Sequence, residues 1–176
     1  ADRIGHGVNL ISDPDTMRLM RHGPYLVEIN LVSNLLLEYV GKYSEHPFPE
    51  YLRTGIPVAL STDDRGMWDS NITDEFFVAV REFNQSWEEL KQLGRNSLRH
   101  AFAPEPLKSE LLKRLESRVE SFESTIATAP ASALSSSARG YGFICDHYQL
   151  CDWDVSATAT PQAQDALATP NTTSDY

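Results

Sequence analysis

Cysteine is scarce in this 176-residue sequence: Cys145 and Cys151 are the only two, and they form no C-x-x-C pair. A cysteine-ligated zinc site or a dithiol redox motif is therefore excluded. Basic residues are outnumbered, 15 Lys and Arg against 25 Asp and Glu, for a formal charge of -10. That balance argues against nucleic acid and against an anionic membrane surface as partners. No apolar run approaches the roughly 18 residues of a membrane span, and no basic-then-apolar leader opens the chain. The motifs G-x-S-x-G, G-x-x-x-x-G-K and G-x-G-x-x-G are missing too. Their absence removes the serine-hydrolase elbow, the P-loop and the dinucleotide fingerprint.

What is present suffices for a packed core: 41% hydrophobic residues, with aromatics at 10%. The sequence starts Ala1-Asp2-Arg3-Ile4-Gly5-His6 without Met and runs at once into strand-like residues. That opening suggests processing, or a piece whose front half lies elsewhere. Composition divides the chain into 1–129 and 130–176. The second region holds 8 Ala, 6 Ser and 5 Thr among 47 positions, with a single basic residue, Arg139. So little apolar area does not offset backbone entropy, and most of this region reads as a mobile tail. The exception is an aromatic patch from Tyr141 to Trp153, which could dock on the body.

The body alternates strand and helix. Asp13-Pro14 starts a helix that Gly23 stops. An apolar run from Tyr25 to Ile29 ends in Asn30 and Ser33-Asn34. A short helix from His46-Pro47 to Thr54 is closed by Gly55, and the run Ile56 to Leu60 ends in Ser61-Thr62-Asp63-Asp64. Three helices follow. Asp74 to Phe83 is expected to put Phe76, Phe77, Val80 and Phe83 on one side. Ser86-x-x-Glu89 is a capping box ahead of Leu90, Leu93 and Leu98. Leu107, Leu111, Leu112, Leu115, Val119, Phe122 and Ile126 give the strongest helical periodicity. Short apolar strands separated by helices indicate an α/β fold with a parallel sheet covered on both faces. A closed (β/α)₈ barrel needs about 250 residues, so the body supplies half of one.

Polar residues gather where each apolar strand ends: Gly5-His6-Gly7, then Asn30 with Ser33-Asn34, then Asp63-Asp64. Barrel enzymes carry their chemistry at that rim. Two adjacent carboxylates call for compensation, and a metal ion for one with a proton donor for the other would provide it. A solvated turn with a helix cap is the more ordinary account of a generic Asp-Asp pair. His6, between two glycines, reads either as an open imidazole at the rim or as a satisfied structural residue. Of the remaining histidines, His22 marks a helix end, His46 starts a turn, His100 lies in a helix and His147 in the tail. Cys145 and Cys151 are open to a local disulfide or to two idle thiols. Three N-x-[ST] sequons, at Asn71, Asn84 and Asn171, tilt weakly toward secretion, and a cytoplasmic setting stays open.

Taken in order, Arg3-Ile-Gly-His-Gly7, Glu28-Ile29, Ser33-Asn34, Ala59-Leu-Ser-Thr-Asp-Asp64 and Leu90-Lys-Gln-Leu-Gly-Arg-Asn-Ser-Leu98 resemble the C-terminal half of adenosine deaminases. The look is that of the branch related to the secreted adenosine deaminase growth factors and their bacterial relatives. The resemblance covers roughly residues 2–125. It implies the C-terminal portion of a (β/α)₈ TIM barrel followed by the tail, and zinc-dependent hydrolysis of adenosine, or a related purine nucleoside, to inosine and ammonia. By the resemblance Asp63 is the aspartate zinc ligand, Asp64 hydrogen-bonds the purine near N7, and His6 orients the zinc-bound hydroxide. The family's H-x-H pair, third zinc histidine and catalytic glutamate would precede Ala1 with the N-terminal half of the barrel, so the zinc ligand set here is incomplete. Arg65 stands where most members have proline. The chain on its own is accordingly expected to bind zinc poorly and to be inactive. Activity of the AMP deaminase type, a non-catalytic adenosine-binding or growth-factor-like module, and a degenerate copy that folds poorly are the alternatives.

Overall fold

Residues 2–130 and 142–149 are described by the structure, a computed structural model. Three strands, β1 (Arg3–Gly5), β2 (Leu26–Ile29) and β3 (Val58–Leu60), form one parallel sheet in chain order. The register aligns Ile4 with Val27 and Glu28 with Ala59. β2 is the middle strand. Its Leu26, Val27 and Ile29 are fully buried, as is Val58 beside them. Each such side chain contributes roughly 1.5–3 kcal/mol by leaving water. This is the βα arrangement that the short apolar runs imply.

The connections are helices whose ends are fixed locally. A 3₁₀ turn over Val8–Ser12 leads into α1 (Pro14–His22), where Asp13 accepts the N–H groups of Asp15 and Thr16. α2 (Leu31–Leu36) follows β2 directly. A second 3₁₀ turn, Tyr43–Glu45, precedes α3 (Phe48–Thr54), which ends at Gly55 in the left-handed region, φ 78°. After β3 come α4 (Arg65–Trp68), α5 (Ile72–Phe83) and α6 (Trp87–Arg99). The capping box foreseen at Ser86 is formed, with Ser86 N–H donating to Glu89 Oε2 at 2.7 Å. Helix α6 packs on β3, and its buried Asn96 donates to the Val58 carbonyl at 2.9 Å.

One expectation needs correction. On α5 the fully buried face is Glu75, Val78 and Ala79, whereas Val80 is 45% exposed. The aromatic residues dominate the sequence pattern, but the sheet and α2 are met by smaller side chains that allow close approach. Helix α7 (Glu105–Thr128) is as long as its periodicity indicates, yet it buries no residue fully. It leans on α6 through Arg95–Glu116 (2.7 and 2.8 Å) and through Trp87 Nε1 donating to Glu123 (2.6 Å). Phe122 remains 50% exposed and Leu107 43%. Among the described residues no helix is long and apolar enough to cross a membrane.

Of the aromatic patch, Gly142–Gln149 is described. Helix α8 (Phe143–Tyr148) docks on the body: Phe143 N–H donates to the Asp69 carbonyl at 2.8 Å, and Tyr148 meets Phe77 edge-on. Gly142 is needed here, because at φ 93° a Cβ would lie 2.3 Å from the Asp69 oxygen. Cys145 is buried and disulfide-bonded. Cys151, and the expectation of a mobile tail over 131–141 and 150–176, lie outside the described residues.

The face of α5 can be tested by paired substitutions. Val78→Ala should cost about 2 kcal/mol of unfolding free energy, whereas Val80→Ala should stay within about 0.5 kcal/mol. Urea titration of both variants measures the difference.

Candidate active site

Because the strands run in one direction, their carboxyl ends share a rim, and the polar residues that follow them meet there. After β1, Gly7 N–H bonds the Gly5 carbonyl at 2.7 Å, closing a three-residue turn with His6 at its centre, φ 59°. Gly7 is also left-handed, φ 63°, and a Cβ on it would sit 2.4 Å from Val27 Cγ1. Tyr51, fully buried on α3, holds this turn from below: its hydroxyl donates to the Gly7 carbonyl at 2.7 Å and accepts Ile11 N–H at 3.0 Å. His6 borders a cleft of about 720 Å³, walled also by Gly5, Val8, Glu38 and Tyr39. The Tyr39 ring meets the imidazole edge-on at 5.5 Å.

After β3, Asp63 is likewise held left-handed, φ 49°. Its Oδ2 accepts the Ser33 hydroxyl at 2.7 Å and lies 3.8 Å from His6 Nε2. Asp63 and His6 are thus brought together across the sheet, from residues 57 apart in sequence. Asp64 is placed differently. It is exposed, as Asp63 is, but it leads into α4, its carbonyl accepting Met67 N–H at 2.8 Å, with no capping hydrogen bond from its side chain.

Between the two, α2 presents Ser33 to Asp63 and Asn34 to His6, the latter contact being 2.8 Å between Asn34 Nδ2 and His6 Nδ1. Both α2 residues are fully buried. What fixes α2 is Glu75. Its carboxyl, fully buried on α5, accepts Leu31 N–H at 2.7 Å and Val32 N–H at 3.3 Å, the first donors of the helix. Burial pushes the Glu75 pKa up to about 8, and the nearby Asp74 and Asp63 charges push the same way. His46 is a second support. It is 4% exposed, with Nε2 3.0 Å from Asn34 Oδ1, and burial lowers its pKa to about 4.

Sequence reasoning located Asn30, Ser33 and Asn34 as a polar cluster, but not Glu75 or His46. An acid beside Asp74 in an apolar helix was the available signal for Glu75. His46, read as a turn residue, faces inward instead. The sequon residues Asn71 and Asn84 serve as helix caps, Asn71 accepting Thr73 N–H at 2.8 Å and Asn84 ending α5 at φ 54°. Asn171 lies outside the described residues.

Zinc takes four nitrogen, sulfur or oxygen ligands. Asp63 offers a carboxylate whose rotation Ser33 fixes, and His6 stands beside it. Among the described residues, however, no group of three or more His, Cys, Asp or Glu side chains is arranged to hold a metal ion. These residues fit one wall of a metal site and do not close it.

The family model for adenosine deaminase matches residues 1–118. This chain belongs to the adenosine deaminase family. It is 36% identical over 111 residues to an adenosine deaminase from Clostridium perfringens, across 63% of this chain and 33% of that protein. Among solved structures, an adenine deaminase from Arthrobacter aurescens superposes with a TM-score of 0.65 at 29% identity, over 68% of this chain and 37% of that one. An amidohydrolase from Burkholderia ambifaria, solved with bound Zn, gives 0.66 at 17% identity over 73% and 36%, a likeness of fold alone. The adenosine deaminase-family chain spans about a third of the length of these relatives. Its three parallel strands and their helices match part of the amidohydrolase barrel, as the sequence implies, and by family it resembles hydrolytic deaminases.

The raised Glu75 pKa makes stability depend on pH. The unfolded chain releases this proton near 4.5 and the folded chain near 8. Over that interval the folded state binds more protons, so the Glu75 contribution is full below about 4.5 and is lost as pH rises through 8, at up to about 1.4 kcal/mol per unit. His46 acts in the opposite sense, losing its contribution as pH falls from 6.5 toward 4. In urea unfolding between pH 6.5 and 9, Glu75→Gln should flatten the decline seen in the unmodified chain.

Proposed function

We propose that the whole protein to which this chain contributes deaminates a purine hydrolytically, with adenosine as the leading substrate: water adds at C6, ammonia departs, and inosine results. The reading rests on family membership and above all on one observation, the 3.8 Å approach of His6 Nε2 to Asp63 Oδ2 on a common rim. In this reading Asp63 is one zinc ligand, held in rotation by Ser33. His6 hydrogen-bonds the attacking oxygen and offsets its developing charge. Asp64, exposed at the start of α4, orients the purine near N7. Zinc, when bound, would supply a water acidic enough to attack at neutral pH. The remaining ligands belong to the part of the relatives' length that this chain does not span. Adenosine and adenine deaminases both occur among the relatives, so the purine ring is the common recognition element.

Three measurements test this. Calorimetric titration of the 176-residue chain with zinc should show no tight binding, and added adenosine should yield no inosine; inosine from the chain alone would place the site elsewhere. In an enzyme containing the full barrel, assayed on adenosine, adenine and AMP, His6→Ala should lower kcat by about 10²–10³, the loss of one transition-state donor. A His6→Ala enzyme of undiminished kcat would refute the role given to this residue.

A further inference from the structure

The hydrogen bonds behind the rim end at a donor that cannot be turned round. The Phe48 backbone N–H donates to His46 Nδ1 at 3.1 Å, so that nitrogen is an acceptor. His46 is buried and neutral near pH 7, and its one proton is therefore on Nε2. From Nε2 it donates to Asn34 Oδ1 at 3.0 Å. The amide is thereby oriented, and Asn34 Nδ2 donates to His6 Nδ1 at 2.8 Å. With Nδ1 accepting, a neutral His6 carries its proton on Nε2, the nitrogen that faces Asp63.

Asn30 pulls the other way. Turned so that its nitrogen reaches the carbonyls of Ile29 (3.3 Å) and Ser61 (3.2 Å), its oxygen lies 3.1 Å from His6 Nδ1 and would favour a proton there. The two demands are unequal in consequence. A proton on Nδ1 would set two donors against each other at 2.8 Å, and relieving that by inverting Asn34 would oppose donors at His46. Inverting His46 in turn meets the fixed Phe48 N–H. An acceptor at Nδ1 confines the conflict to Asn30 alone.

We propose that His46, acting through Asn34, is a positioning residue that holds His6 as its Nε2–H tautomer and so presents a hydrogen-bond donor beside Asp63. His46 touches neither Asp63 nor the cleft; its effect passes through one amide. The use of this donor in catalysis rests on the deaminase reading above, whereas the tautomer itself does not.

The test is ¹⁵N NMR of the imidazole nitrogens in the 176-residue chain, without zinc or substrate, at a pH where His6 is neutral. His6 should show an unprotonated Nδ1 and a protonated Nε2. In Asn34→Asp the carboxylate would accept from both rings, and the His6 proton should move to Nδ1. In His46→Phe, where Asn34 is free to invert, the two tautomers should mix. A protonated Nδ1 in the unmodified chain overturns the proposal, and needs no variant to fold. So does a folded Asn34→Asp or His46→Phe chain in which His6 keeps the Nε2–H form unchanged. Failure of the full-length enzyme to deaminate purines would leave this result standing and would count only against the functional reading.

Discussion

A buried carboxyl group, with no cation paired to it among the described residues, organises the rim. Glu75 reaches from α5 under the first turn of α2 and takes the two backbone N–H groups that no residue of that helix can satisfy. Since Ser33 and Asn34 stand in the same short helix, their contacts to Asp63 and His6 inherit their positions from this one acid. A buried carboxylate is costly to desolvate, and the upward shift of its pKa reflects that cost. The arrangement is therefore sensitive to the protonation of a residue that no solvent touches.

Around this support the backbone is left-handed at residues where chemistry is expected, as it is elsewhere at Glu38, Asp69 and Asn84. His6, Gly7 and Asp63 are all left-handed. For His6 and Asp63 the conformation costs of order 1–3 kcal/mol each and persists only where neighbours enforce it. Tyr51 does so at the first turn through the Gly7 carbonyl, and Ser33 holds the Asp63 carboxylate. The docked α8 adds a further restraint, since Phe143 bonds Asp69 six residues beyond Asp63. That segment lies past residues 1–118, the region the family model matches.

The architecture was legible because its signals are local. Asp13 with Pro14, Gly55, and Ser86 with Glu89 fix helix ends by hydrogen bonds and backbone freedom within a few residues. The apolar runs at 25–29 and 56–60 reveal buried strands for the same reason, although each strand begins one or two residues later than its run. The candidate site was half legible. His6 and Asp63 could be nominated from their places after strands, but Asp64 could not be separated from Asp63 by pattern. The two part company because the left-handed Asp63, past the end of β3, carries its carboxylate to Ser33 and His6. Helical periodicity found only part of the buried face of α5: Phe76 and Phe83 pack against the core, but the fully buried residues are Glu75, Val78 and Ala79.

Sequence alone determined the order of elements, their caps, the parallel character of the sheet and the family to which the chain belongs, because each depends on residue type at short spacing. Tertiary structure decided which of these residues meet: His6 with Asp63 over 57 positions, Glu75 with α2 over more than 40, and His46 with His6 through an amide. Those contacts follow from strand register and from which face of a helix is buried. Neither quantity is written in any local stretch of residues; both are set when the sheet and helices pack and most buried polar groups find their partners.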